Sequence, residues 1–213
     1  MVSDADRDAE LVIEEMLRGE RPDDGLVAEE GASNEGVSGR RWVVDPLDGT
    51  TNFLYGLPAW AVSIALEDGE GGAVGVVHDP VRDETFSAIR GLGARLGNEP
   101  IEVSGPAALD SSLIATGFGY ESGQRREQAE LLVGVLPHVR DIRRAGAASL
   151  DLCWVGCGRL DGYYERGLKP WDWAAGCVIV TEAGGALREL DGEPHGLVAA
   201  SPAIADELLA LVS

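Results

Sequence analysis

The rhythm of the chain changes once, near residue 104, and that change limits the fold more than any other feature. From Trp60 to Val103 the sequence runs AWAVSIALE, GAVGVVHD, ETFSAI and GLGARLGNEPIEV. These are short alternating stretches joined by turn glycines, the pattern of an antiparallel sheet. The segment SGPAALD, Ser104 to Asp110, reads as a linker. Beyond it strands and helices take turns: SLIATG, a helix from about Arg126 to Leu136, VRDIRR, a helix from Ala147, DGYYE and a helix from Trp171. Short strands near Ala186 and Leu197 and a helix from Pro202 close the chain. Upstream, Ser3 is the expected N-cap of a helix with an apolar stripe of Leu11, Val12, Met16 and Leu17, ending near Gly19. Two αβ units, 1–104 and 105–213, sharing one site, are expected.

The junction near the start of the first sheet carries the chemistry. In VVDPLDGTTNF, Val43 to Phe53, an apolar strand from Arg41 ends at Asp45. Pro46 stiffens the next step and cannot donate to a ladder. Asp48 follows three residues on, and Gly49-Thr50-Thr51 opens a helix with free N–H groups. Two carboxylates beside an anion-binding turn make sense when cations lie between them. Read without other context, the stretch also admits a plainer account, with Asp48 as a helix cap and Asp45 as a solvated strand end. The Asp-x-x-Asp spacing is one residue longer than the DxDGT signature of haloacid-dehalogenase-like phosphatases, in which the first Asp is a nucleophile.

Composition narrows the partners. The 213 residues, 45% hydrophobic and 25% charged, are those of an ordinary globular protein. No apolar run approaches the roughly 18 residues of a membrane helix. The acidic start MVSDADRDAE lacks a signal-peptide core, so no membrane association and a cytoplasmic location are expected. A formal charge of −20 argues against nucleic acid, and against an anionic substrate unless cations reverse the local sign. Cys153 and Cys157, four apart in an apolar helical pattern, read as core, and His78, His138 and His195 form no ligand pattern. Any metal is therefore expected to be a hard cation on oxygen ligands.

WVVDPLDGTTNF and the later PWDWAAGCVIVTEAGG together resemble the inositol monophosphatase family of magnesium-dependent, lithium-sensitive sugar phosphatases. The resemblance runs from VSDADRDAE to the end of the chain. It implies a layered α-β-α-β-α sandwich, with an antiparallel sheet in the N-terminal part and a mixed sheet in the C-terminal part. It also implies a phosphoric monoester hydrolase acting on a small phosphorylated polyol or sugar with two or three Mg2+ per site, inositol 1-phosphate leading and histidinol phosphate second. A homodimer is expected, and a non-catalytic binding member of the fold is the alternative of another class.

The resemblance also implies roles. Glu29 would bind the first metal and orient the attacking water, with Thr50 helping to activate it. Asp45 would bridge two metals, Leu47 would give its carbonyl, and Asp48 and Asp172 would complete the second metal site. Gly49 and Thr50 would meet phosphate through backbone N–H groups, and Asp48 would also face the substrate. Gly146, Ala147 and Ala148 would line the substrate pocket, and Glu165 would take a sugar hydroxyl. Asp6 would lie near the metals and act through water. Plainer readings stand beside these: Asp6 as a first-turn acid, Glu165 as a strand-end acid, Asp172 as a helix cap, Lys169 as a surface residue near the mouth. Glu30 is the weaker candidate beside Glu29, since adjacent residues point differently. Arg125 or Arg126 could reach a substrate or a neighbouring subunit, though a solvated helix start suits them better. Family members carry a further helix and a lysine before the segment matched here by Val2–Glu10, so an N-terminally shortened member with uncovered apolar surface is expected.

Overall fold

The computed structural model describes residues 3–105 and 108–213; Met1, Val2, Pro106 and Ala107, and with them part of the expected linker, lie outside the described residues. Ser3 caps helix α1 (Asp4–Glu20), its side chain and that of Asp6 closing a reciprocal capping box. An eight-stranded sheet follows. It contains β1 (Gly25–Ala28), β2 (Ser33–Asn34), β3 (Arg41–Asp48), β4 (Ala61–Asp68), β5 (Gly71–Asp79), β6 (Glu84–Ile89), β7 (Gly93–Leu96) and β8 (Glu99–Ile101). Their order is β2-β1-β3-β4-β5-β6-β7-β8. The expected antiparallel run from β3 onward is present, but β1 joins β3 in parallel, so this sheet is mixed at one edge.

The second half builds a five-stranded mixed sheet from β9 (Leu113–Thr116), β10 (Asp141–Arg143), β11 (Gly162–Arg166), β12 (Ala186–Leu190) and β13 (Gly196–Ala200), in the order β10-β9-β11-β13-β12. Helices α4 (Ala148–Gly156) and α5 (Pro170–Glu182) lie between the two sheets. They are apolar on nearly every face because both sheets press on them. Ala175, Ile179 and Leu150 belong to the core against the first sheet; Leu152, Val155 and Val180 belong to the core against the second. Helix α1 packs on β3, while α3 (Ser122–Val135) and α6 (Ala205–Val212) cover the second sheet. The layers therefore run α-β-α-β-α.

Two expectations fail in instructive ways. The inward stripe of α1 is not Leu11, Val12 and Met16, which are 55%, 57% and 64% exposed. It is Asp6, Glu10, Ile13 and Leu17, spaced along one helical face. The acids are buried because they have backbone and hydroxyl partners: the Glu10 carboxylate accepts the N–H groups of Glu30 (2.7 Å) and Ala32 (2.9 Å). Pro46 does not end its strand either. β3 continues to Asp48 through a register shift between Asp45 and Asp48, which absorbs the missing donor as a bulge.

Candidate active site

The bulge in β3 is what converges the acids. The Asp45 carboxylate turns back to accept the N–H of Leu47 at 2.9 Å, so strand and turn are locked as one unit. Gly49 follows at φ +89°, a conformation open to glycine, and short helix α2 (Thr50–Leu54) starts from it. A Cβ on Gly49 would stand 2.9 Å from the Ala59 carbonyl oxygen and 3.2 Å from the Ala147 Cβ, so the turn abuts the loop before α4. Asn52 ties that loop down, donating to the carbonyls of Ala59 (2.6 Å) and Ala145 (2.9 Å). Asp48 is held across the same gap by the Ser149 N–H (2.7 Å) and Oγ (2.5 Å).

Asp172 approaches from the first turn of α5, where it accepts the Lys169 N–H at 2.6 Å. The capping reading of Asp172 and its place in the site therefore hold together. Glu29 sits just beyond β1, on the turn that Glu10 pins. Glu165 lies on β11 with its Oε2 accepting the Tyr163 hydroxyl at 2.7 Å.

All of these face one cavity of about 1150 Å3, lined by Glu29, Asp45, Leu47, Asp48, Gly49, Thr50, Gly146, Ala147, Ala148, Glu165 and Asp172. Asp6 stands behind it. Its Oδ1 accepts the Thr50 hydroxyl at 3.0 Å, and the Leu47 carbonyl oxygen is 3.1 Å from the same hydroxyl. Asp6 is therefore tied directly to Thr50.

The electrostatics of this cavity are unusual. None of Glu29, Asp45, Asp48 and Asp172 has a salt-bridge partner among the described residues. Burial pushes the Asp45 carboxyl well above its usual range, and the charges of Asp48, Glu29 and Asp172 push the same way. Burial raises Glu29 to about 7 despite a hydrogen bond with Asp45, and raises Asp172 to about 7 with help from Asp48. Asp48 is also raised by burial, against the donors of Ser149. Uncompensated buried carboxylates are costly unless protons or cations neutralise them. Hard oxygen donors of this kind fit Mg2+.

Some members of the site were not legible in the sequence. Glu30, the weaker candidate there, joins Asp6 and Glu29 in a group whose carboxylate oxygens lie within 4.8 Å of one another, a geometry that could hold a metal ion. The tight turn after β1 brings the neighbours together, against the expectation from side-chain alternation. Gly117, Phe118, Tyr120, Gln124, Arg144 and Asp151, none of them a candidate from the sequence, also line the cavity. Lys169 is exposed and also lines it. Arg125 instead donates to the carbonyls of Gly119 and Tyr120, holding that loop, and Arg126 is absent from the lining.

Comparison with known proteins adds relatives to this geometry. Residues 1–212 match the description "Inositol monophosphatase family". Inositol-1-monophosphatase SuhB of Mycobacterium tuberculosis is 45% identical over 224 residues, covering 98% of this chain and 77% of the relative. Nus factor SuhB of Escherichia coli is 41% identical, covering 98% and 81%. The crystal structure of extragenic suppressor protein suhB from Bartonella henselae superposes with a TM-score of 0.94 at 40% identity, covering all of this chain and 84% of that one.

Proposed function

We propose that this chain, which belongs to the inositol monophosphatase family, hydrolyses a small polyol or sugar phosphate with Mg2+ as cofactor, inositol 1-phosphate being the leading substrate. The carrying observation is the set of four carboxylates on one cavity, Asp45 and Asp48 buried and Glu29 and Asp172 half-buried, with no salt-bridge partner among the described residues, and Thr50 hydrogen-bonded to Asp6 at its edge. Those four acids and the Leu47 carbonyl would hold two or three Mg2+, with Asp6 and Glu30 beside Glu29. When bound, such cations neutralise phosphate oxygens and lower the pKa of water so that it can attack phosphorus at neutral pH.

The rest falls to the chain's own groups. With its proton directed to Asp6 or to the Leu47 carbonyl, the Thr50 hydroxyl presents lone pairs that accept a hydrogen from the attacking water, and Asp6 stabilises that orientation. Glu29 orients the same water. The N–H groups of Gly49 and Thr50 are offered to phosphate oxygens. Ala147, Ala148 and the Gly146 turn leave room for the polyol, and Glu165 accepts one of its hydroxyls. No covalent phospho-enzyme is required.

The name of the M. tuberculosis relative supports inositol 1-phosphate. The E. coli relative is named a Nus factor and not a phosphatase, which favours a second reading, a regulatory role. Exposed Leu11, Val12 and Met16 support a homodimer, and three unpaired cysteines suit a reducing, cytoplasmic setting. Among the described residues no helix is long and apolar enough to cross a membrane. Phosphate release should be measured from inositol 1-phosphate, histidinol phosphate and other sugar phosphates, with and without Mg2+ and Li+. Magnesium-dependent, lithium-sensitive turnover, fastest on inositol 1-phosphate, is expected. Preference for histidinol phosphate would move the assignment to that substrate. Magnesium binding without any turnover would favour the regulatory role.

A further inference from the structure

Helix α4 puts into the cavity a carboxyl group that the chemistry above does not use. Asp151 is 1% exposed, yet it lines the cavity, and its Oδ1 is buried with no hydrogen-bond partner among the described residues. The remainder of α4, ASLDLCWVG, is otherwise an apolar core helix with one hydroxyl at Ser149, and that hydroxyl is used by Asp48. A buried carboxyl without a partner costs free energy, and a leucine at this position would avoid the cost. Helix capping does not explain it, since it accepts no helix N–H.

Its surroundings indicate what it could meet. Burial raises its pKa well above the usual range, the charges of Glu165 and Asp48 add to this, and only Arg144 opposes them. Burial and these carboxylate charges both shift the carboxyl toward its protonated form, in which it can donate as well as accept. Glu165, on the facing strand β11, has one oxygen committed to Tyr163. Gly117 packs against the Glu165 carboxylate so closely that any Cβ there would displace it. Arg144 folds over Gly146 in the same way. Two carboxyl groups from different elements thus share one wall of the pocket, with backbone cut back to glycine beside them.

We propose that Asp151 is a specificity-determining residue that hydrogen-bonds a second hydroxyl of the polyol, next to the one taken by Glu165, so that the pocket selects hydroxyl-rich phosphate monoesters. This rests on the phosphatase reading above. The test compares kcat and KM for inositol 1-phosphate with those for phenyl phosphate, which has no hydroxyl on its ring, in wild type, Asp151→Leu and Asp151→Asn. Thermal unfolding is followed in parallel. Losing a hydrogen bond of this kind should lower the kcat/KM ratio of the two substrates about tenfold in Asp151→Leu, chiefly through KM for inositol 1-phosphate. Asp151→Asn, which keeps a donor and an acceptor, should restore part of the ratio. An unchanged ratio, or an equal fall for both substrates, in an active and folded variant overturns the assignment alone. A wild type inactive on both substrates overturns the phosphatase reading and this assignment with it.

Discussion

Replacing Glu165 by glutamine should stabilise the metal-free protein at pH 8 and change it little near pH 5. Burial raises the Glu165 carboxyl from 4.5 to about 7, more than the Tyr163 hydroxyl and Arg144 lower it. Between those values the folded state holds a proton that the unfolded chain has released. The wild type therefore loses stability as pH rises through this window, and the loss is complete above about pH 7. A shift of that size corresponds to a ceiling of about 3 kcal/mol. The carboxyl faces an open cavity whose water screens it, so about 1–2 kcal/mol is the working expectation. Glutamine removes the charge but still offers an oxygen to Tyr163. Thermal unfolding in chelator across pH 5–8 should show Glu165→Gln melting about 3–6 °C above wild type at the upper end, converging at the lower. A difference that does not vary with pH, or a less stable variant at pH 8, would refute the reasoning.

Other expectations follow from the same geometry. Thr50→Ala should lower kcat about 100-fold with little change in KM, whereas Thr50→Ser should retain most activity; steady-state kinetics separates the two. Gly117→Ala should push the Glu165 carboxylate off Tyr163, raising KM for inositol 1-phosphate and costing about 1 kcal/mol in urea unfolding. Because burial raises Glu29 and Asp172 to about 7, Mg2+ must displace protons below that pH. Calorimetric titration should find apparent affinity rising up to about tenfold per pH unit per displaced proton from pH 6 to 7, then levelling above about pH 8.

Much of the layered fold can be read from local pattern. β4–β7 alternate with period two, and α4 and α5 are apolar all round because two sheets enclose them. The parallel β1–β3 pair could not be read this way, since a four-residue strand carries no mark of its partner. Nor could the inward face of α1: its acids look like solvent-facing residues until Glu10 is seen capping the Glu30 turn and Asp6 meeting Thr50. The candidate site divides similarly. Asp45, Asp48 and Gly49 announce themselves by spacing within one motif. Glu30, Arg144 and Asp151 reach the cavity only through the turn after β1 and the seating of α4 between the sheets, relations made by tertiary packing.

The central claim, a cation-dependent phosphomonoesterase built on the acids at the β3 bulge, is tested most directly by phosphate release from inositol 1-phosphate by wild type and Asp45→Asn, with Mg2+ and with chelator. The account predicts turnover by wild type only with Mg2+. It also predicts a loss of at least about 100-fold in Asp45→Asn, a folded variant that melts no lower than the metal-free wild type. Asp45→Asn retaining near-full magnesium-dependent turnover would contradict it.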